Sequence, residues 1–431
     1  MRRTVVTMVA LLLAGLLAGC GPASGAIPIS SGLSPQNAVP APSVVLGGLH
    51  EPAAAIPGIF AAAGPTDAEP APTTDLAPNA AAAVLMDASS GQVLWAKNPN
   101  AKRPAASVTK LMTMAVVMDA IASGRIRWTD IVSASQEAVN TGGAQIWLEL
   151  GENFSVKDLF YAVAVQSAND AAVALAEYVG GTVSHFVDLM NAKAKQLGMR
   201  DTRYTDPNGL DDQNQYTSAY DIALLSRYLV TSRPQVLQYT STWEYRLRAN
   251  KLWMVNRNKL LTRLSGTDGL KTGFTTNAGY CLAATAKRGA TRLIAVVLGE
   301  PTSPLRFTET SALLQWGFSN YSTVSVAQAG KVLGQVPVEG GRLRTVALVP
   351  ARSLGVTVPR GQEKSVHAQV TLPHRLQAPV TSEQTLGEIT VRVNGKTVAS
   401  VPVVAAHPVP RLHPLQLWLR VWAGLWPWLR H

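Results

Sequence analysis

Residues 104–110 have the sequence Pro-Ala-Ala-Ser-Val-Thr-Lys, and an apolar run from Leu111 to Val117 follows directly. The apolar pattern stops at Ser123-Gly124, so it predicts a helix that begins at or just before Ser107. On such a helix Ser107 and Lys110 lie one turn apart on the same face. The helix N-terminus would favour negative charge on the serine oxygen, and the lysine amine would be within reach of the serine proton.

The S-x-x-K spacing is not specific by itself. About one such tetrapeptide is expected by chance in a chain of this length, and the alternative is a surface lysine after an N-cap serine. Two companion motifs follow it in the chain, Ser167-Ala168-Asn169 and Lys271-Thr272-Gly273. A serine activated by lysine, followed by a polar triad with asparagine and a K-T-G, is a known catalytic arrangement. The three motifs together predict a serine nucleophile with a lysine base.

Each later motif also has a structural alternative. Ser167 and Asn169 separate two apolar helical runs, where they would either face something polar or cap the two helices. On an edge strand, Gly273 would let a substrate backbone approach closely, while Lys271 and Thr272 would offer a cation and a hydroxyl to a carboxylate. The alternative is that this segment is simply the end of a strand, where the lysine is solvated.

Other hydrolase chemistries lack the residues they need. A zinc peptidase requires clustered histidines and carboxylates, and a Ser-His-Asp hydrolase requires a histidine base. Of the seven histidines, only His185 falls in the candidate catalytic region, at a helix start typical of a surface residue. Lys110 is then the remaining base, and burial together with a second cation such as Lys271 would lower its pKa. We expect no metal and no cofactor.

The N-terminal residues predict export and a lipid anchor. Arg2-Arg3 and the apolar stretch from Val5 to Leu17 form a signal sequence that is too short for an ordinary membrane span. Its end, Leu17-Ala18-Gly19-Cys20, resembles a bacterial lipobox, in which Cys20 would be lipidated; the alternative is a plain secretory signal with an incidental cysteine. Residues 21–78 are rich in Pro, Ala, Gly and Ser and predict a linker. Cys281 would have no disulfide partner and is expected to be a small buried apolar residue.

The C-terminal residues 407–431 predict an amphipathic helix in the membrane interface. Trp418, Trp422 and Trp426 recur every four residues, although Pro427 would kink or end the helix. The alternative is a terminal helix packed on the preceding domain. The formal charge of +11 suits an anionic lipid surface or wall polymer. Without a nucleic-acid motif, we do not expect a nucleic-acid partner.

Between these ends the pattern predicts two domains. Residues 79–322 contain a hairpin at 82–97, strong strand signals at 280–286 and 292–298, and helical runs that include 155–165, 171–178, 188–198, 217–230 and 305–318. Residues 323–406 carry short β runs split by Gly and Pro and predict a small all-β domain. The glycine-bearing segment 141–147 either borders a cleft or is only a turn.

From about Ala80 to the C-terminus the chain resembles the low-molecular-mass D-alanyl-D-alanine carboxypeptidases, which are penicillin-binding proteins of the penicillin-recognising serine peptidase superfamily. Besides the three motifs, the matching stretches are Asp87-Ala88-x-x-Gly91, Gln166-Ser167-x-Asn169-Asp170, Asn208-Gly209-Leu210-Asp211 and Ala219-x-Asp221. The resemblance implies an α/β (α+β) peptidase domain of the β-lactamase/penicillin-binding type. In that fold an antiparallel sheet is flanked by helices, and an all-β domain and a terminal amphipathic helix follow.

The resemblance also implies roles for individual residues. Ser107 would be the acylated nucleophile, Lys110 its base, and Ser167 a relay that passes a proton to the leaving D-alanine. The backbone amide of Ser107 and one on the Lys271 strand would form an oxyanion hole. The substrate-binding positions would be Asn169 for the substrate amide, with Lys271, Thr272, Gly273 and Arg306 around the terminal carboxylate. Two positions depart from the family pattern: Ala168 replaces a glycine, and Asn208 stands where some members have histidine.

The function implied is removal of the terminal D-alanine from peptidoglycan pentapeptide stems, with β-lactams as covalent inhibitors, by an enzyme anchored at the outer face of the cytoplasmic membrane. Alternatives on the same scaffold are a D,D-endopeptidase, a transpeptidase and a class A β-lactamase. The β-lactamase would require a water-activating glutamate, which the segment around Asn208 lacks. A wall-binding protein without activity would have no need for the pair Lys110 and Ser167.

Overall fold

The structure is a computed structural model that describes residues 74–413. The predicted signal peptide with Cys20 lies outside the described residues, as do nearly all of the linker and most of segment 407–431. The α-helices of the described range are α1 Lys110–Ala122, α2 Gln136–Val139, α3 Val156–Tyr161, α4 Asn169–Gly180, α5 Val183–Gln196, α6 Ala219–Ser232, α7 Val236–Thr240, α8 Leu260–Arg263 and α9 Ser303–Asn320.

The strands of the described range fall into two groups. Those before residue 301 are β1 Ala82–Asp87, β2 Val93–Lys97, β3 Ile131–Ser133, β4 Asn153–Ser155, β5 Glu244–Leu247, β6 Leu252–Val255, β7 Thr267–Thr275, β8 Gly279–Arg288 and β9 Thr291–Glu300. Those after it are β10 Tyr321–Ala327, β11 Gly334–Glu339, β12 Thr345–Pro350, β13 Leu354–Pro359, β14 Val366–Thr371, β15 Leu376–Gln377, β16 Gly387–Val393 and β17 Lys396–Ala405.

A five-stranded antiparallel sheet organises the first part, with strand order β2-β1-β9-β8-β7. Side chains along a strand point alternately to its two faces. Accordingly Val84 and Met86 belong to the core that includes α1, α4 and α6, whereas Leu85 belongs to the core that includes α9. The sheet is therefore covered by helices on both faces, which confirms the predicted fold class.

The helix predicted from Ser107 starts differently from the prediction. Residues Ala106–Thr109 form a 3₁₀ turn, and the α-helix proper begins at Lys110. Ala106 has φ of 48°, in the left-handed region, so the chain enters the turn sharply. The amphipathic pattern does not contain this information, because a 3₁₀ turn and an α-helical turn place residues three apart on similar faces.

Residues 321–405 form β structure, as predicted. A six-stranded sheet has the order β14-β16-β17-β12-β11-β15, and β10 pairs with β13 in a separate two-stranded sheet. Valine and leucine side chains from both sheets share one core. Only β15 pairs parallel to its neighbour among these strands; the other pairs are antiparallel.

Two smaller expectations concerned Cys281 and His185. Cys281 is a buried free thiol, and burial raises its pKa to about 11, as expected for an unreactive core residue. His185 is exposed in the first turn of α5. No helix between residues 74 and 413 is long and apolar enough to cross a membrane.

Candidate active site

Lys110 is the central side chain of the site. It is fully buried at the start of α1, and its amine donates to Ser107 Oγ at 2.9 Å, Asn169 Oδ1 at 2.6 Å and the Asn208 carbonyl at 2.7 Å. Burial lowers the pKa of Lys110 to about 7, while the carboxylates of Asp206 and Asp170 partly oppose this shift. A substantial fraction of Lys110 is therefore neutral near pH 7.

The arrangement defines which proton the amine can exchange. A neutral amine keeps two N–H donors and one lone pair. The Asn169 and Asn208 oxygens are acceptors only and hold the two N–H groups, so the lone pair is left for the Ser107 hydroxyl. This geometry suits proton removal from Ser107 by Lys110.

The second motif lies at a break between helices. Residues Ala162–Gln166 are π-helical, Ser167 is left-handed with φ of 67°, and α4 begins at Asn169. Ser167 and Asn169 are both buried. Ala168, which replaces a family glycine, has φ of −61° and ψ of 123°, an ordinary conformation for alanine. The departure at this position therefore requires no backbone change.

Both polar atoms of the Asn169 amide have protein partners. Its Oδ1 accepts from Lys110, and its Nδ2 donates to the Gly142 carbonyl at 2.6 Å. Its backbone N–H donates to the Ala144 carbonyl at 2.7 Å. Segment 141–147 therefore borders the site, which resolves the alternative that it is only a turn. The Asp170 carboxylate fixes the same segment by accepting from the backbone N–H of Ile146 at 3.0 Å.

The third motif lies on β7, against the nucleophile. A Cβ atom added at Gly273 would lie 2.6 Å from the Ala105 carbonyl oxygen and 3.0 Å from the Ser107 nitrogen. The strand can approach this closely only because residue 273 has no side chain. The Ser107 nitrogen therefore lies beside β7, at the place where an oxyanion hole between the turn and this strand would be.

Lys271 and Thr272 are both buried on β7. The Lys271 amine donates to the Thr272 carbonyl at 2.9 Å. Its pKa is lowered well below 10.5, first by burial and then by the positive charges of Lys110 and Arg306. Lys271 is therefore not a solvated lysine at a strand end, which was the alternative interpretation. It belongs to a buried cluster of basic groups.

Arg306 extends from α9 to the same strand. Its guanidinium donates to the Gly273 carbonyl at 3.0 Å and to Ser303 Oγ at 3.3 Å, and it packs over the ring of Tyr280. Burial lowers its pKa. The structure thus brings Arg306 to the K-T-G strand, 33 residues from Gly273 in the chain.

Sequence reasoning missed two charged residues near this cluster. Arg257 is exposed between Asn256 and Asn258, and its charge contributes to the lowered pKa values of Lys271 and Arg306. Asp206 begins the turn that presents the Asn208 carbonyl to Lys110. No sequence motif marks either residue, because both reach the site through tertiary contacts.

The turn that begins at Asp206 also packs closely against the backbone next to Ser107. Gly209 has φ of +84°, and a Cβ there would lie 1.9 Å from the Ala106 carbonyl oxygen. The backbone carbonyl of Asn208 contacts Lys110, whereas its side-chain Oδ1 is buried with no hydrogen-bond partner among the described residues. The departure at Asn208 therefore does not alter the contact that holds Lys110.

The chemistry available is that of a serine nucleophile with a lysine base. Within residues 74–413 no group of three or more histidine, cysteine or carboxylate side chains could hold a metal ion. Basic groups adjoin the nucleophile on β7 and α9, and they suit a substrate with a carboxylate close to the reacting bond.

Comparisons with known proteins identify the family of this chain. The family model described as D-alanyl-D-alanine carboxypeptidase matches residues 68–302, and that of the penicillin-binding protein 5 C-terminal domain matches residues 321–411. The D-alanyl-D-alanine carboxypeptidase DacF of Bacillus subtilis is 37% identical across 77% of this chain and 86% of its own length. DacC of Escherichia coli, another D-alanyl-D-alanine carboxypeptidase, is 38% identical across 79% of this chain and 85% of its own length.

Solved structures give the same result. Penicillin-binding protein 5 from Haemophilus influenzae is 38% identical with a TM-score of 0.63, over 77% of this chain and 98% of that one. Penicillin-binding protein D2 from Listeria monocytogenes, solved in an ampicillin-bound form, is 33% identical with a TM-score of 0.53, over 57% of this chain and 99% of that one. On the site, the fold and these matches, the chain belongs to the D-alanyl-D-alanine carboxypeptidase family of serine peptidases.

Proposed function

We propose that this protein removes the terminal D-alanine from peptidoglycan pentapeptide stems through an acyl-enzyme on Ser107. The observation that carries the proposal is the 2.9 Å contact between Ser107 Oγ and the amine of a buried Lys110 with a pKa of about 7. The named activity of the curated relatives supports the same reaction.

In the acylation step, neutral Lys110 accepts the Ser107 proton while Oγ attacks the carbonyl carbon of the bond between the two D-alanines. The backbone amides of Ser107 and of β7 stabilise the oxyanion that forms. Collapse of the intermediate breaks the C–N bond, and Ser167 passes a proton to the departing amine. Water then hydrolyses the ester, releases the shortened stem and restores Ser107.

Substrate binding follows from the charges around β7. Lys271, Thr272 and Arg306 would hold the carboxylate of the leaving D-alanine, while Gly273 lets the stem lie along the strand. Asn169 would hold the substrate amide from the opposite wall. The same groups would accept a β-lactam carboxylate, so β-lactams are expected to acylate Ser107.

The alternative activities differ from the carboxypeptidase reaction in the group that accepts the acyl chain or in the substrate. A D-alanyl-D-alanine endopeptidase of Pseudomonas aeruginosa is 34% identical over 54% of this chain, a shorter match than those of the carboxypeptidases. A class A β-lactamase would need a glutamate beside the ester. The acidic residue of the nearby turn is Asp206, and backbone amides already occupy its Oδ1.

The test is D-alanine release from diacetyl-lysyl-D-alanyl-D-alanine by the full chain in detergent, beside Ser107→Ala. We expect release by the native protein and a loss of roughly 10³-fold or more in the variant, because the nucleophile is gone. Equal release by both proteins would contradict the proposal. Fast penicillin hydrolysis with an intact peptide would favour the β-lactamase.

We also propose that the enzyme is exported and held at the outer face of the cytoplasmic membrane by lipidated Cys20 and by residues 407–431. The lipobox, the tryptophan repeat and the formal charge of +11 support this location, and residues 21–78 would act as a tether.

Binding to vesicles of anionic lipid tests both anchors. Cys20→Ser expressed in a lipidating host should lose most membrane attachment, and further deletion of residues 415–431 should lower the residual binding, since one lipid chain or one interfacial helix alone binds only reversibly. Unchanged binding after the deletion would exclude the interfacial helix.

A further inference from the structure

The segment from Asp206 to Gly209 makes the contact that fixes one side of Lys110. The Asp206 Oδ1 accepts from the backbone N–H of Asn208 at 2.5 Å and of Gly209 at 2.6 Å. This pair of bonds closes the turn and directs the Asn208 carbonyl at the Lys110 amine, 2.7 Å away. On the α1 side, Thr113 Oγ1 donates to the Pro207 carbonyl at 2.6 Å. The turn is thus locked to the helix that carries Lys110.

Gln215 holds the carboxylate from the other side. Its Nε2 donates to Asp206 Oδ2 at 2.9 Å, and its Oε1 accepts from the backbone N–H of Thr205 at 2.8 Å and of Asp206 at 3.1 Å. Gln215 is buried. Within the described part of the chain, the hydrogen-bond partners of the Asp206 carboxylate are therefore neutral donors, and no ion pair cancels its negative charge.

The uncancelled charge of Asp206 acts on the buried amine of Lys110. The charged groups that face Lys110 are Asp206 on the turn, Asp170 on α4 and Lys271 on β7. The two carboxylates favour the protonated amine, and Asp206 contributes more than Asp170. Asp170 is occupied by three backbone amides, those of Ile146, Leu148 and Ala171.

We propose that Asp206 is a positioning residue for the reaction, which aims the Asn208 carbonyl at Lys110 and supplies a negative counter-charge to the Lys110 amine. This inference rests on the proposed function, in which Lys110 is the base. Without the carboxylate, burial would act on the amine with less opposition, and Lys110 would be a weaker base that is neutral over a wider pH range.

The test compares Asp206→Asn with the double variant Asp206→Asn/Gln215→Glu. In the single variant the new amide oxygen can still accept both turn N–H groups, but the new amide nitrogen faces the Gln215 donor. In the double variant the carboxylate introduced at position 215 accepts from the amide introduced at position 206 and from the two backbone N–H groups. The double variant therefore restores the hydrogen bonds between the two side chains and to the backbone of residues 205 and 206, loses only the 3.3 Å donation from position 215 to the Leu210 carbonyl, and moves the negative charge to the neighbouring side chain.

Two readouts are measured, the pH dependence of penicillin acylation and the Lys110 pKa from ¹³Cε shifts of lysine-labelled protein. We expect the single variant to lower both midpoints by about one pH unit, and the double variant to return them most of the way. The acidic limb of the pH profile moves to lower pH because loss of the Asp206 charge disfavours the protonated form of Lys110. Thermal melting establishes that each variant is folded.

Two outcomes would overturn the inference. In one, the single variant is slower at every pH with unchanged midpoints, as a purely structural turn would give. In the other, the double variant keeps the midpoints of the single variant. Because the NMR titration needs no turnover, it measures the action of Asp206 on Lys110 even if D-alanine release is absent and the proposed function fails.

Discussion

Lys110 shows how one residue acquires a catalytic property from burial. The unfolded chain would hold its proton up to about pH 10.5, the ordinary value, whereas the folded protein holds it only to about 7. Between these values the unfolded state binds more protons, so the contribution of this group to stability increases with pH across that window. The buried amine therefore costs stability at neutral pH and below, and it supplies a free base from about neutral pH upward.

Gly273 is the residue whose replacement should separate β7 from the nucleophile. In Gly273→Ala the new Cβ would meet backbone atoms of Ala105 and Ser107 at 2.6 and 3.0 Å, and backbone cannot rotate away as a side chain can. We expect penicillin acylation to slow by roughly 10²-fold, as for a displacement of about 1 Å at a reacting centre. The measurement is the second-order rate with a fluorescent penicillin.

Gly289→Asn is the matched control. It lies at the turn between β8 and β9 with φ of +60°, nothing lies within 4 Å of an added Cβ, and asparagine tolerates this conformation. Its acylation rate should equal the native rate. A native rate in Gly273→Ala would show that the close approach of β7 is unnecessary.

At the residue scale, the sequence predicted those positions whose chemistry is encoded by local spacing. Ser107 and Lys110 are three residues apart, so their contact follows from one helical turn. The Asn208 carbonyl reaches Lys110 from 98 residues away, and only the fold makes that contact. The expected lowering of the Lys110 pKa has burial as its largest cause. Lys271, which the sequence suggested as a second cause, is not among the causes of that shift; the charge of Lys110 instead lowers the pKa of Lys271.

At the scale of elements, long periodic segments were predicted well and their ends less well. The helix expected at 305–318 is α9, Ser303–Asn320, and the strands expected at 280–286 and 292–298 are β8 and β9. The helix expected at 155–165 is instead α3 followed by a π-helical segment, and the left-handed Ser167 ends it. The sequence correctly indicated a break at residues 166–170, because serine and asparagine there interrupt two apolar runs.

The short hairpins had no sequence signal of their own. Strands β5 and β6 have four residues each, too few for a clear alternation. Tertiary contacts hold the hairpin: Tyr245 donates to Asp158 at 2.7 Å, and Arg248 pairs with Glu152 at 2.7 Å. Arg248 also donates to the carbonyl of Ile146 at 2.7 Å, so the hairpin supports the segment that borders the active site.

At the scale of the whole molecule, the sequence predicted an all-β region after the peptidase region but not the contacts between them. The buried Asp87 at the end of β1 accepts from Thr323 Oγ1 on β10 at 2.9 Å, and Thr291 Oγ1 accepts from the Thr323 backbone N–H at 2.9 Å. Asp87 also accepts from Ser90 in the turn before β2. Asp87, which belongs to one of the matching stretches of the peptidase region, therefore also contacts the all-β region.

The proposed reaction requires that Ser107 is the nucleophile and that neutral Lys110 activates it. The most direct measurement is the rate of covalent penicillin attachment as a function of pH, with the modified peptide identified by mass spectrometry. We predict an adduct on the peptide that contains Ser107, formed at a rate that rises with pH through a midpoint near 7, because the amine must lose its proton to act as base. An adduct on another peptide, or a rate that falls as the pH rises through this range, would exclude activation of Ser107 by neutral Lys110.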